Sequence, residues 1–507
     1  MDVKIKRPAN DRRSLAQIGI EGLDDILAGG LTPNRLYLID GDPGSGKTTV
    51  ALRFLMQGAG QGETTLYVTL AESSHELTAV AASHGWSLEN INLLEIIPGG
   101  DALSTDEQIT MFHPSEVELG EATEKILAAV EKYKPQRVVI DSLSELRLLS
   151  QHSLRYRRQI LALKRFFMGR ECTVMLLDDR TADASDRQPY SIAHGVITLE
   201  QITPEYGSER RRLVVSKYRG STFRGGYHDF VIREGGVIVY PRLVAGEYPI
   251  RTEQQSVKSG LKELDDLLGG GLSAGTSTLV TGPAGAGKST LAMQYVVSAC
   301  ERGERVAITL FDESMATLSE RMQGIGRPIE RFLESKLLTI YQVDPAEFSP
   351  GQLVNTIRDQ VENQNARMIV LDSLNGYMHS MPGESFLTVQ LHELTSYLGH
   401  RGVTTILVTT QQGFIGTAMH SPVDATYLAD SVVLLRYFEE SGRVRKAVSV
   451  VKKRTGRHED TIRELTIDSK GVHVGAPLCD FRGVLTGVPE RHGQNGRGTE
   501  PSEERGS

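Results

Sequence analysis

Short, almost wholly apolar runs recur along the chain, each followed by a polar or helically spaced stretch. In the first half they are Leu36–Ile39, Thr65–Leu70, Arg137–Ile140 and Thr173–Leu177. In the second half they are Thr278–Val280, Val306–Phe311, Met368–Leu371 and Thr405–Val408. Runs of this length with no polar alternation suit strands covered on both faces, as in a parallel sheet. Ser153–Met168 and Phe386–Leu398 carry helical spacing instead. Each half closes on two strands with polar edges: Val196–Gln201 with Arg212–Tyr218, and Val432–Tyr437 with Ala447–Lys452. The predicted fold is α/β and present twice: a mostly parallel, doubly wound sheet with helices on both faces and an antiparallel-leaning C-terminal edge.

The first strand of each half runs into a glycine-rich loop. Residues 41–48 read GDPGSGKT and residues 282–289 read GPAGAGKS, an offset of 241. Both fit G-x-x-x-x-G-K-[ST] between a strand-like and a helix-like run, the phosphate-binding P-loop. Gly41, Gly44 and Gly46, and Gly282, Gly285 and Gly287, let backbone N–H groups approach an anion without a Cβ in the way. Those groups and the helix N-terminus form the anion site. Lys47 and Lys288 bring charge to the β/γ-phosphates, and Thr48 and Ser289 offer hydroxyls to Mg²⁺. Thr49 and Thr290 follow as nucleotide-binding candidates. Two ATP sites per chain are expected.

The same offset relates GLDDILAGGL at 22–31 to ELDDLLGGGL at 263–272, and LAES at 70–73 to FDES at 311–314. That period is too long for a solenoid and indicates domain duplication. The reading gives a first ATPase domain at 14–245, a polar linker at 246–255, a second domain at 256–486 and a disordered polar tail at 487–507.

Composition narrows the class. The chain has 507 residues, a net charge of −8 and three scattered cysteines, read as small core residues rather than a metal cluster or disulfide framework. No apolar run is long enough to span a membrane. The basic N-terminus lacks an apolar core, so it is not a secretory signal. A cytoplasmic protein follows. The acidic balance argues against a dedicated nucleic-acid binder.

A P-loop needs a second acidic group for Mg²⁺. Asp141 in RVVIDSLSEL and Asp372 in MIVLDSLNGY each close an apolar strand, the Walker B position. Hydrolysis also needs a carboxylate to take the proton of the attacking water or hydroxyl. Glu72 and Glu313 each stand 25 residues after the loop lysine, at the sheet edge where ligands of such folds bind. Asp312 adds a second carboxylate in the second half, where the first has Ala71. Lys217 with Arg219, and Lys452 with Arg454, sit two apart near the end of each half. With period two each pair faces one side, either as solvated edge charge or reaching a neighbouring subunit's γ-phosphate as arginine fingers do.

This ordered set resembles the KaiC family of RecA-like P-loop ATPases over about 14–487. It rests on IEGLDDILAGGL, both P-loops, the carboxylates after the second strand, IDSL and LDSL, K-x-R-G, and the ending TIRELTIDSKGVHV. The resemblance implies a double-ring hexamer with ATP between subunits. The first ring would hydrolyse ATP slowly through Glu72. The second would autophosphorylate on Ser/Thr through Asp312 and Glu313. The two basic pairs would cross subunit interfaces. The family's acceptor positions fall on Thr426 and Tyr427 in DATYLADSVVLL, which makes Thr426 the candidate acceptor and Ser421 a second.

The chain also departs from the clock members. Its tail after FRGVLTG lacks the apolar stretch that would dock a clock activator, so ATPase and autokinase work with signalling proteins is the expectation. His194 stands where the second half has Asp430. Two other readings share the fold: a RecA-like DNA-dependent ATPase or recombination protein, and a regulatory scaffold held together by ATP. A DNA motor calls for a basic mobile loop, whereas 178–190 is mixed in charge and 411–425 has no Lys or Arg.

Overall fold

The computed structural model describes residues 15–96, 114–150, 152–180, 188–251, 255–379, 386–411, 426–485 and 490–491. The chain separates into two compact units; the first ends at Arg242 and also takes in Ser349–Gln352. Each unit carries one nine-stranded sheet.

In unit one the strands lie in the order Asn92–Glu95, Thr65–Thr69, Arg137–Asp141, Thr173–Asp179, Leu36–Gly41, Gly195–Ile202, Arg210–Tyr218, Tyr227–Arg233 and Gly236–Tyr240. The first six are parallel and the last three pairings are antiparallel. Unit two repeats this with Leu338–Gln342, Val306–Leu310, Met368–Asp372, Thr404–Thr410, Ser277–Gly282, Ser431–Glu440, Arg443–Lys453, Arg463–Asp468 and Gly471–Pro477. The two units are tandem RecA-like α/β domains.

Alternating side chains of the apolar runs divide between two cores. Tyr37 and Ile39 enter one hydrophobic cluster of unit one, and Leu36 and Leu38 enter the other. In unit two Met368 and Val370 face one cluster, and Ile369 and Leu371 the other. That two-sided burial is why these strands carry no polar alternation. Leu243 and Ala245 belong to a core cluster of unit two, and the Ala245 amide donates to Glu393 Oε2 at 2.9 Å.

Within the segment read as a tail, Glu490–Arg491 pair antiparallel with Phe481–Arg482, and 492–507 lie outside the described residues. Cys172 and Cys300 are buried, and burial pushes each thiol up to about 12. Cys479 is exposed, which corrects the reading of all three cysteines as core residues. Among the described residues no helix is long and apolar enough to cross a membrane.

Candidate functional site

The two glycine-rich loops are built alike. Strand Leu36–Gly41 leads through the loop into helix Lys47–Gly60, and Ser277–Gly282 leads into Lys288–Glu301. Gly46 and Gly287 take φ of +98° and +100° immediately before the first helical residue. A Cβ on Gly46 would lie 2.6 Å from Ile232 Cδ1, and one on Gly287 2.6 Å from Ile467 Cδ1. The positive φ is what favours glycine at both positions; a side chain would in addition have to displace the end of the facing isoleucine. On Gly41 a Cβ would meet Leu199 O and Ser45 Oγ at 2.6 Å, and on Gly282 it would meet Leu435 O at 2.5 Å. The helices' first N–H groups lack intrahelical partners, so loop and helix together suit a phosphate. Thr49 and Thr290 sit buried in the first helical turns.

The loop lysines are only 7% and 6% exposed. Lys47 Nζ donates to Gly41 O at 2.8 Å and Asp42 O at 3.0 Å, and pairs with Asp179 Oδ1 at 2.8 Å. Lys288 Nζ donates to Pro283 O at 2.8 Å. In sheet register the counterpart of Asp179 is Thr410: Gly41 lies beside Asp179 and Gly282 beside Thr410. Burial brings the Lys288 ammonium down to about 8, opposed by the Asp372 charge.

Asp141 and Asp372 are the last residues of strands Arg137–Asp141 and Met368–Asp372. Thr48 Oγ1 donates to Asp141 Oδ2 at 3.3 Å, and Tyr67 OH donates to the same oxygen at 2.5 Å. Ser289 hydrogen-bonds Asp372 in unit two. Burial holds both carboxyls above the usual range, while these hydrogen bonds and the nearby cations pull them down. Among the described residues no cluster of three His, Cys, Asp or Glu could cage a metal. One hydroxyl with one strand-end carboxylate is nevertheless the protein's share of a P-loop Mg²⁺ site, the remaining ligands being phosphate and water. The residues fit Mg²⁺·ATP.

The base candidates differ between units. The Glu72 amide donates to Thr69 Oγ1 at 3.0 Å, and that hydroxyl donates back to Glu72 O at 2.7 Å, fixing the main chain. Its Oε2 is buried with no hydrogen-bond partner among the described residues. Burial first, then the charges of Asp141, Glu76 and Asp179, hold the Glu72 carboxyl above the usual range. An acid so raised is better matched to proton transfer near neutral pH. Glu313 is instead forked by Arg321, at 3.0 Å to Oε1 and 2.7 Å to Oε2. Asp312 Oδ2 accepts from Ser373 Oγ at 2.5 Å.

Each basic pair finds partners within its own unit. Lys217 Nζ donates to Tyr190 O, Ser191 O and Ala193 O, and Arg219 to Ser191 O at 3.3 Å. Lys452 Nζ donates to Thr426 O and Ala429 O, and Arg454 to Tyr427 O, with an ion pair to Asp430 at 3.5 Å. Lys217 opposes Val196, and Lys452 opposes Val432, each beside a bulge. The pairs are thus equivalent positions, but only the lysine of each lies on its strand: Arg219 and Arg454 stand one residue past Arg210–Tyr218 and Arg443–Lys453, which corrects the reading of both members as strand residues. The pairs hold the segment leading into the neighbouring strand that precedes their own, a role the sequence reading did not name.

Thr426 is exposed, five residues before strand Ser431–Glu440. Ser421 lies outside the described residues, as do most of the segments weighed for nucleic acid, 181–187 and 412–425. Four partners escaped the sequence reading: Asp179 on Lys47, Tyr67 on Asp141, Ser373 on Asp312 and Arg321 on Glu313. A signal existed for Asp179, a strand-end carboxylate like Asp141. None existed for the other three.

A family model described as "ATPase: KaiC" matches residues 16–244 and again 257–478. "Circadian clock oscillator protein KaiC" of Synechococcus elongatus is 28% identical over 482 residues, covering 93% of this chain and 91% of that protein. The protein of that name from Thermostichus vulcanus is 28% identical over 484 residues, with 93% and 91% covered. "Circadian clock protein KaiC3" of a Synechocystis species is 27% identical over 482 residues, with 93% and 94% covered.

Proposed function

The chain belongs to the KaiC family of ATPases, and from that premise we propose that it binds one Mg²⁺·ATP in each unit, hydrolyses ATP in unit one and autophosphorylates in unit two. It does so in the cytoplasm as a homo-oligomeric ring, a hexamer, in signalling or clock-like regulation. The observation that carries the nucleotide reading is the repeated arrangement of a left-handed glycine, a buried lysine and a hydroxyl on a strand-end aspartate. In that arrangement the N–H groups and lysine would hold the phosphates, and the hydroxyl and aspartate would hold Mg²⁺, whose charge would offset that of the phosphates. Two sites per chain are expected. Lys47→Ala and Lys288→Ala should each leave about one nucleotide bound per chain by equilibrium dialysis. Two equivalents in either single variant would refute the assignment.

The autokinase reading is supported by the acidic pair found in unit two alone and by an exposed Thr426 in the segment its basic pair holds. The Thr426 hydroxyl oxygen bonds to the γ-phosphorus, the bond to the β–γ bridging oxygen breaks, ADP leaves, and the hydroxyl proton passes to a carboxylate. Proximity in a neighbour's site supplies the rate, and Asp312 is the acceptor left outside the Arg321 fork. Incubation with γ-labelled ATP should label the wild type at Thr426 by mass spectrometry. Asp312→Asn should lose at least about a hundredfold in rate while still binding ATP. Hydrolysis without label would leave a plain ATPase.

A further inference from the structure

The two units differ most sharply at one helix. In unit one, Ser73 caps helix Ser74–Ser83; in unit two, Ser314 caps helix Met315–Gly324. These helices follow Glu72 and Glu313 at the same spacing, so Val80 in unit one is matched by Arg321 in unit two. Val80 packs against a hydrophobic core cluster and leaves Glu72 alone. Arg321 reaches back along its helix and directs two nitrogens of its guanidinium, Nε and Nη2, at Glu313, one to each carboxylate oxygen. Its third nitrogen donates to Thr290 Oγ1 at 3.0 Å, in the first turn of the P-loop helix. The guanidinium is therefore fastened at three points. A bidentate fork of this kind is among the stronger and more directional side-chain contacts.

We propose that Arg321 restrains Glu313, so that unit two is held back from activating water while unit one, with Val80, is not. The proposal deepens the reading of unit two as a catalytic centre and rests on it. In hydrolysis the water oxygen bonds to the γ-phosphorus, the bond to the β–γ bridging oxygen breaks with ADP leaving, and the water proton passes to the base. To orient that water, Glu313 must share or give up an Arg321 N–H bond. Glu72 presents for the same task an oxygen with no hydrogen-bond partner among the described residues. Asp312, with a hydroxyl rather than a guanidinium on it, remains the proton acceptor of unit two. Arg321 is thus a specificity-determining positioning residue: it biases the second site away from water.

The test uses the full chain carrying Lys47→Ala, so that only unit two is loaded, with Arg321→Val, Arg321→Lys and Arg321→Val/Glu313→Gln. The first readout needs no turnover. Carbodiimide coupling of glycine ethyl ester to Glu313, followed by mass spectrometry of the unloaded protein, should rise several-fold in Arg321→Val. The second is ATP hydrolysis. In Arg321→Val kcat should rise about tenfold with KM little changed, within the ~10²–10⁴ that a positioned base supplies. The gain should vanish in the double variant, and Arg321→Lys, which folds with the same charge but cannot fork, should fall between. Equal labelling of Glu313 in parent and Arg321→Val overturns the restraint. So does a fall in kcat, which would make Arg321 an aid to the base. Turnover in the parent with no gain in any variant defeats the restraint alone. No turnover in the parent or any variant, with ATP bound, defeats both the restraint and the reading of unit two as a hydrolytic centre.

Discussion

Glu72→Gln is expected to lower ATP hydrolysis in unit one by ~10²–10⁴-fold while ATP still binds. The measurement is kcat and nucleotide affinity in full-length chain carrying Lys288→Ala, where only unit one is loaded. Glutamine keeps the size of the side chain and cannot take a proton, so a loss confined to kcat isolates the base. The pH profile gives a second, independent mark. Burial and three neighbouring carboxylates hold the Glu72 carboxyl above its usual range. The base works deprotonated, so activity should fall as pH drops through that raised value. The acid limb of kcat/KM should therefore lie above the ~4.3 of a free glutamate. It should be missing from the residual activity of Glu72→Gln. Unchanged turnover in the variant would remove Glu72 from the mechanism.

The sequence announced those features whose cause is local. A strand buried on both faces must be apolar at every position, so the central strands stood out as unbroken runs. The edge strands Asn92–Glu95 and Leu338–Gln342 are largely half-exposed, and their mixed composition hid them. The same holds for Tyr227–Arg233 and Gly236–Tyr240, whose alternation is interrupted by partly exposed positions. The loop glycines were legible because their backbone conformation admits few other residues. Side-chain pairings were not. Arg321 lies eight residues beyond Glu313, across a helix cap, and nothing in that spacing says that the guanidinium turns back. Tyr67 points at Asp141 because two parallel strands lie side by side in register, a relation between residues far apart in the chain.

The difference between His194 and Asp430 bears on the other large effect. In unit two Asp430 pairs with Arg454. In unit one burial, together with the charges of Arg35, Arg219 and Lys164, holds the His194 imidazole below its usual range, so it is neutral at pH 7. Among the described residues no carboxylate lines the cavity of ≈ 240 Å³ that Arg219 borders with Arg35, Lys164 and His194. The Lys217 side chain is committed to three carbonyls, whereas one described side-chain hydrogen bond, to Ser191 O, holds the Arg219 guanidinium, and its backbone N–H donates to His194 O at 3.1 Å. On the ring reading, Arg219 is the member of its pair with more capacity to stabilise charge on a neighbour's transferring phosphoryl group. Arg219→Ala should then cut kcat by about 10³-fold or more, with little change in ATP affinity. Arg219→Lys should recover little, because an ammonium cannot fork. Mixing decides whether the residue acts in trans. Arg219→Ala and Glu72→Gln chains, each in the Lys288→Ala background, should be nearly inactive alone. Combined without nucleotide and then reassembled with ATP, they should regain a substantial fraction of turnover. In such a ring an intact Glu72 site can face an intact Arg219 from the other variant. A mixture no more active than its components would assign Arg219 to its own unit, where its hydrogen bond to Ser191 already gives it a structural part.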